Sequence, residues 1–246
     1  MVSMLSRRWI IRSLALCAMV LCLAELGTAA GAYNAPSSHS ATAPRDTPHV
    51  LNYPDFDSGS WPQTFDTANI EDTQSIMAVG MLYANLVKLD SQNRVIPDLA
   101  TSWDVSTDGK VYTFHLRTDA NFSDGNPITA DDVIYSIDRA LNPKVLNGKS
   151  PSPVGALYLG HILGAASYTG KGDVKGLKKI DAHTVQITLD SPIAFFLQTL
   201  SYPTSDVLEK GKTPIGSLTT KNPLQNQISS GPWVLSAYSL SLIHIS

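Results

Sequence analysis

Apolar and polar residues alternate with period two in some parts of this chain and with a helical period in others. Trp103, Val105, Val111, Thr113 and His115 fall in two short alternating runs on either side of Asp108-Gly109. Such runs predict a β-hairpin closed by a two-residue loop, with glycine free to take the positive φ of a tight turn. A second turn, Asp124-Gly125-Asn126-Pro127, leads into Thr129-Ala130-Asp131-Asp132, the arrangement of a capping box at a helix start. Val133, Ile134, Ile137, Ala140 and Leu141 then form one apolar stripe, and Asn142-Pro143 ends the helix because proline disfavours helical backbone before it.

The same reading extends to both sides. Asp72 is placed to cap a helix running to about Val87, with Ile76, Val79, Tyr83, Leu86 and Val87 on one face; Gly80 within it would mark close packing. Residues 50–53 would open a first strand, and 61–66 are loop-like. Val185, Ile187 and Leu189 alternate with Gln186 and Thr188, which predicts a strand paired with 177–180 around Ala182-His183. Pro192 suits the first position of a helix carrying Phe195, Phe196, Leu197 and Leu200. The Gly-, Ser- and Pro-rich stretch 144–176, with an apolar island at 154–166, reads as a variable loop holding a small helix.

The N-terminus carries a targeting signal. Arg7, Arg8 and Arg12 precede an apolar run broken only by Glu25, and Ala30-Gly31-Ala32 offers a small-residue cleavage site, so 1–32 reads as a signal peptide. The pair Arg7-Arg8 also fits twin-arginine export. The apolar run is shorter than the ~20 residues that span a bilayer. Both cysteines, Cys17 and Cys22, lie inside this segment, so the exported part would hold no disulfide or thiolate metal site; leucines precede both, which speaks against lipidation. Residues 33–49, rich in Ser, Ala, Pro and Thr, read as a flexible tether. With 43% hydrophobic residues, 16% charged residues and a net charge of −3, the chain as a whole has the composition of a folded protein; removal of 1–32, which carries three Arg and one Glu, would leave −5, so no basic surface for nucleic acid is implied.

Three motifs in the central stretch, PDLATSW from Pro97, DGKxYTFHLR from Asp108 and FxDGxPxTADDVxYSIxRAL from Phe122, together resemble the extracytoplasmic solute-binding proteins of family 5, the oligopeptide and dipeptide receptors of ABC importers. Tyr83-Ala84-Asn85-Leu86-Val87 is similar to the family's YEGLV, and Asp66 aligns with its LDP-like turn, although Thr67 replaces the usual proline. Residues 158–162 and 176–181 are similar too, and Ser230-Gly231-Pro232-Trp233 resembles the family's TGPY before another strand.

The resemblance implies an α/β, periplasmic-binding-protein-like fold of the class II, cluster C type. It has two lobes, of which only the first lobe and its subdomain would be present. Residues 50–90 would be a first-lobe segment, 91–204 the subdomain, 205–238 the return segment and 239–246 a non-native tail. It also implies a monomer that captures peptides in an interlobe cleft and delivers them to a permease and ATPase, with no cofactor. Trp61, Gln63 and Tyr158 are the ligand-contact candidates; the family's aspartate for a peptide amino terminus would lie beyond this chain. Nickel, haem, oligosaccharide and opine receptors share much of this half, so the solute stays open.

An exported hydrolase is the competing class. Gly148-Lys149-Ser150 has Pro143 where a phosphate-binding loop needs glycine, and no G-x-S-x-G elbow occurs. The six histidines, at 39, 49, 115, 161, 183 and 244, have no metal-binding spacing, so His115 and His161 read as structural. Asp131 and Asp132 are explained by the positive end of the helix dipole.

Overall fold

The computed structural model describes residues 62–146, 153–216, 218 and 227–237, all within the unit that runs from Pro54 to Ser246. The signal segment, the tether, the strand expected at 50–53, Trp61, residues 148–150 and the tail 239–246 lie outside the described residues.

A four-stranded antiparallel sheet organises the fold. It contains β3 (Ala100–Val105), β4 (Val111–Leu116), β5 (Leu177–Asp181) and β6 (Thr184–Thr188) in the order β3-β4-β6-β5. On β4, alternate side chains Tyr112, Phe114 and Leu116 are buried, and Val185 and Ile187 continue that inner face on β6. Helix α2 (Ala130–Ala140) packs against β5 and β6, and its Val133, Ile137 and Ala140 complete the main core. A small hairpin, β1 (Val87–Leu89) with β2 (Val95–Pro97), precedes the sheet. Helices α3 (Pro153–Leu159) and α4 (Phe196–Thr199) are short.

Helix α2 forms as the sequence predicts. The Asp132 carboxylate accepts from the Thr129 N–H at 2.8 Å and hydroxyl at 2.7 Å, closing the capping box, and the helix stops at Ala140 before Pro143. The β5–β6 pairing also lies where the alternation places it.

The β3–β4 turn is wider than a two-residue loop. The Gly109 N–H donates to the Ser106 carbonyl at 2.8 Å, and Gly109 takes φ 69°. This is a turn followed by a left-handed residue, which retwists the strands after the extra positions.

Four other expectations are corrected. Helix α1 (Thr73–Leu82) starts at its Asp72 cap, whose side chain accepts from the Ser75 N–H at 2.8 Å, but it ends before Tyr83, which is extended. Residues 82–86 spend their carbonyls on distant partners. Leu82 accepts from Gly231 at 2.9 Å, Ala84 from Val207 at 2.9 Å, and Leu86 from Ala100 at 2.9 Å. Gly80 marks no close packing, because it is exposed and a Cβ there would meet nothing within 4 Å. Pro192 does not open a helix; it lies under the hairpin, where a Cβ on Gly109 would come within 3.3 Å of it, and α4 begins at Phe196. Residues 233–237 form no strand, having no ladder partner among the described residues.

A second buried cluster sits beside the sheet core. Phe65, Ile70, Val79, Leu82 and Tyr83 pack there with Leu208 and Leu218, joining segments far apart in sequence.

Gly80→Ala should stabilise the protein by about 0.5–1 kcal/mol, since it removes backbone freedom from the unfolded chain without a clash. Urea denaturation checks this; a loss of stability would show that the open space around Gly80 is occupied.

Candidate functional site

Gln63, the candidate nearest the start of the described chain, opens an irregular segment that α1 and α2 fix in place. The N–H groups of Gln63 and Thr64 both donate to the Ser75 hydroxyl, at 2.9 and 3.1 Å, so the first turn of α1 serves as their anchor. Thr64 Oγ1 accepts from the Asp66 N–H at 2.9 Å, and the Asp66 carboxylate caps the short turn Thr67–Asn69 through the Ala68 N–H at 3.1 Å.

The same carboxylate faces Arg139 on the last turn of α2. Nη1 and Nη2 donate to its two oxygens at 2.6 and 2.8 Å, and Nε donates to the Thr213 carbonyl at 3.0 Å. The Arg139 side chain is 2% exposed and that of Asp66 12%. Burial alone would lower the guanidinium pKa, but the Asp66 hydrogen bonds and charge hold it above its ordinary value. The Tyr135 hydroxyl donates to the same Thr213 carbonyl at 2.7 Å.

Tyr158 lies half-buried on α3, which packs against Thr67–Asn69 of this segment. Its ring stacks on Tyr202 with centroids 3.9 Å apart and planes at 7°, and the Tyr202 hydroxyl donates to the Ile70 carbonyl at 3.3 Å. Burial, followed by the neighbouring Tyr158 and the Glu71 carboxylate, pushes the Tyr202 hydroxyl pKa up. Gln63 and Tyr158 are therefore held to one segment, Gln63 through Ser75 and Tyr158 through Tyr202; Trp61 lies just before the described residues. Sequence reasoning missed Tyr202 and Arg139. A basic residue in a helix's last turn was the available signal for Arg139; nothing local marks Tyr202.

Separately, an open surface cavity of about 470 Å³ is lined by Lys88, Pro97, Asp98, Thr101, Arg117 and Asp119. Its cations are already paired, Lys88 with Asp98 at 3.2 Å and Arg117 with Asp119 at 2.7 Å. Among the described residues, no group of three or more His, Cys, Asp or Glu is placed to hold a metal ion. His115 Nε2 pairs with Asp104 at 2.9 Å on the solvent side of the sheet.

The sequence profile of the bacterial extracellular solute-binding proteins, family 5 Middle, matches residues 94–243. The chain belongs to this family. It is 35% identical over 174 residues to the probable deoxycholate-binding periplasmic protein YgiS of Escherichia coli, covering 68% of this chain and 31% of the relative. It is 37% identical over 156 residues to the periplasmic oligopeptide-binding protein OppA of the same organism, covering 62% and 28%. Among solved structures, the murein tripeptide-binding protein MppA of E. coli superposes with a TM-score of 0.64 at 28% identity, over 73% of this chain and 35% of that one. The substrate-binding domain of an oligopeptide ABC transporter from Bacillus anthracis gives 0.62 at 26%, over 73% and 34%. The chain spans about a third of the length of these relatives. Its fold is that portion of the periplasmic-binding-protein-like α/β architecture.

The family 5 motif around Gly231 gains a physical reason here. A Cβ on Gly231 would stand 2.8 Å from the Leu82 carbonyl carbon, so only glycine lets the two backbones meet, and Ser230 Oγ accepts from the Ala84 N–H at 3.0 Å. Next to Val207, whose N–H donates to the Ala84 carbonyl, is Asp206, 1% exposed. Its Oδ2, with Asn85 Oδ1 and Thr204 Oγ1, has no hydrogen-bond partner among the described residues. Burial pushes the Asp206 carboxyl well above the ordinary carboxylate range.

Asp66→Ala should cost about 3–5 kcal/mol, because it leaves the Arg139 charge buried and unpaired, whereas replacing both partners by apolar residues should recover most of that loss. Denaturant titration of the single and double variants checks it. Asp206 has its raised pKa in the folded state, so its contribution is full below about pH 4 and is lost as pH rises. Asp206→Asn should therefore gain stability relative to the parent progressively above pH 4. Melting curves from pH 4 to 8 that stay parallel would contradict this.

Proposed function

We propose that the full-length protein is the extracytoplasmic substrate-binding component of an ABC importer, capturing peptides in a cleft between two lobes and delivering them to a membrane permease with its ATPase. The observation that carries this is the 37% identity to an oligopeptide-binding protein, in a segment that superposes on a murein tripeptide-binding protein. In this reading residues 1–32 export the chain, 33–49 tether it, 50–90 and 205–238 build the first lobe, and 91–204 form its subdomain. The sheet and the second buried cluster support that division, while Ala68, Leu86, Val87 and Val207 join the main core across it. The four-stranded sheet lies wholly within 91–204, whereas the second cluster draws Phe65 to Tyr83 together with Leu208 and Leu218.

Trp61, Gln63 and Tyr158 are the proposed ligand contacts on this side of the cleft. Main-chain hydrogen bonds suit any peptide sequence, and water adapts the side-chain pockets, so such a receptor accepts many peptides. It binds as a monomer, needs no nucleophile and releases its solute unchanged. A bile-salt receptor is the second reading, favoured by the 35% identity to a probable deoxycholate-binding protein.

Thermal-shift assays of the full-length protein against di- to pentapeptides and bile salts separate the two. The peptide reading expects a raised Tm with peptides, and it fails if only bile salts stabilise. Tyr158→Ala is expected to weaken peptide binding about tenfold, the order of a lost buried aromatic contact; isothermal titration measures it. Mass spectrometry of the recovered peptide tests the exported-hydrolase alternative, which requires a cleaved product.

A further inference from the structure

Asp138 occupies a position that the family 5 pattern leaves open, between Ile137 and Arg139, apart from the Asp66–Arg139 pair. It lies on the last turn of α2 and is 8% exposed. Its Oδ1 accepts from the Val174 N–H at 2.7 Å, and the Val174 side chain, 1% exposed, plugs into the main core. The loop around Val174 fits closely over the end of the helix. Gly170, at φ 79°, approaches so near that a Cβ would stand 2.6 Å from Asn142 Oδ1, and the Tyr168 hydroxyl donates to the Gly172 carbonyl at 2.9 Å.

A cavity of about 470 Å³ opens between loop and helix, with Asp138, Asn142, Tyr168 and Asp173 among its walls. The exposed Asp173 side chain reaches the buried Asp138 carboxyl, and of the surrounding cations only Lys210 acts on Asp138, through its charge alone. Arg139 is committed to Asp66 and Thr213, Lys210 to Asp131 at 3.5 Å, and Lys144 is exposed at the rim. The hydroxyls of Tyr135 and Tyr168 donate to the Thr213 and Gly172 carbonyls. No ion pair reaches Asp138 or Asp173 among the described residues.

We propose that Asp138 and Asp173 form a proton-operated latch: one proton held between them keeps loop 164–176 seated on the end of α2, and its loss frees the loop. Burial above all, and then the Asp173 charge and hydrogen bond, push the Asp138 carboxyl up to about 7 against the opposing effects of the Val174 N–H and the Lys210 charge. The negative end of the helix dipole acts in the same direction. A closed loop that holds its proton more tightly than the open one is favoured at low pH. Its opening constant should climb by up to about tenfold per pH unit from the ordinary carboxylate range, about 4, to about 7, and level off above that.

Hydrogen exchange of the Val174 amide and its loop neighbours in the full-length protein tests the latch at pH 5, 6, 7 and 8, after correction for intrinsic rates and with β4 amides as reference. Loop opening in the parent should rise about 10–100-fold between pH 5 and 7 and change little from 7 to 8. Asp138→Asn, which keeps an acceptor for Val174 but cannot ionise, should flatten that rise. Asp173→Asn, on the cavity wall, should shift it to lower pH. A pH-independent parent loop, or a parent-like profile in Asp138→Asn, overturns the latch; an unchanged profile in Asp173→Asn overturns the pairing.

Discussion

The buried pair between Asp66 and Arg139 is the constraint that the rest of this structure is arranged around. Two charges this far from water are costly, and their attraction offsets the cost only when both ends are fully hydrogen-bonded. Here they are. The guanidinium places two donors on the carboxylate and a third on Thr213, and the carboxylate also takes the Ala68 N–H. A pair so complete fixes geometry more than it adds stability, because an apolar pair of similar volume would pack the same space at less electrostatic cost. What it fixes is the mutual position of three segments, namely the 62–70 segment, the end of α2 and the chain at Thr213.

That position determines where backbone can come close to backbone. With 62–70 clasped to α2, residues 83–85 leave the helix, and the carbonyls of Leu82, Ala84, Asn85 and Leu86 face Gly231, Val207, Leu99 and Ala100. Each of these bonds satisfies a buried peptide group that a longer α1 would have satisfied internally. The choice between helix and these partners is therefore tertiary, and glycine at 231 decides it by allowing an approach no side chain permits.

The same distinction separates what was legible in the sequence from what was not. Helix α2 could be read because its cap, its stripe and its stop all lie within fifteen residues of one another, and the β5–β6 hairpin because alternation and turn are contiguous. The C-terminal end of α1 could not, since Ile76, Val79, Tyr83 and Leu86 keep a helical spacing although the last two are buried outside the helix. Pro192 carried a helix-start signature, but its surroundings are set by a hairpin turn some eighty residues earlier. At the candidate site, the family resemblance suggested Trp61, Gln63 and Tyr158 as contacts, whereas Tyr202 and Arg139, which hold that segment in place, come from elements whose proximity no local pattern encodes.

On the proposed reading as a receptor, this has a consequence for how a solute would be felt. Tyr158 stacks on Tyr202, Tyr202 is bonded to Ile70, and Ile70 lies four residues from Asp66, so the aromatic surface and the ion pair share one short, well-anchored segment. A ligand pressing on Tyr158 cannot easily displace that ring alone, because its support runs into a buried charge pair that tolerates little distortion. Interiors packed in this way transmit strain as small rigid shifts. A two-lobed trap needs such a wall, since a surface that yielded locally to each solute would not pass the contact on to a hinge.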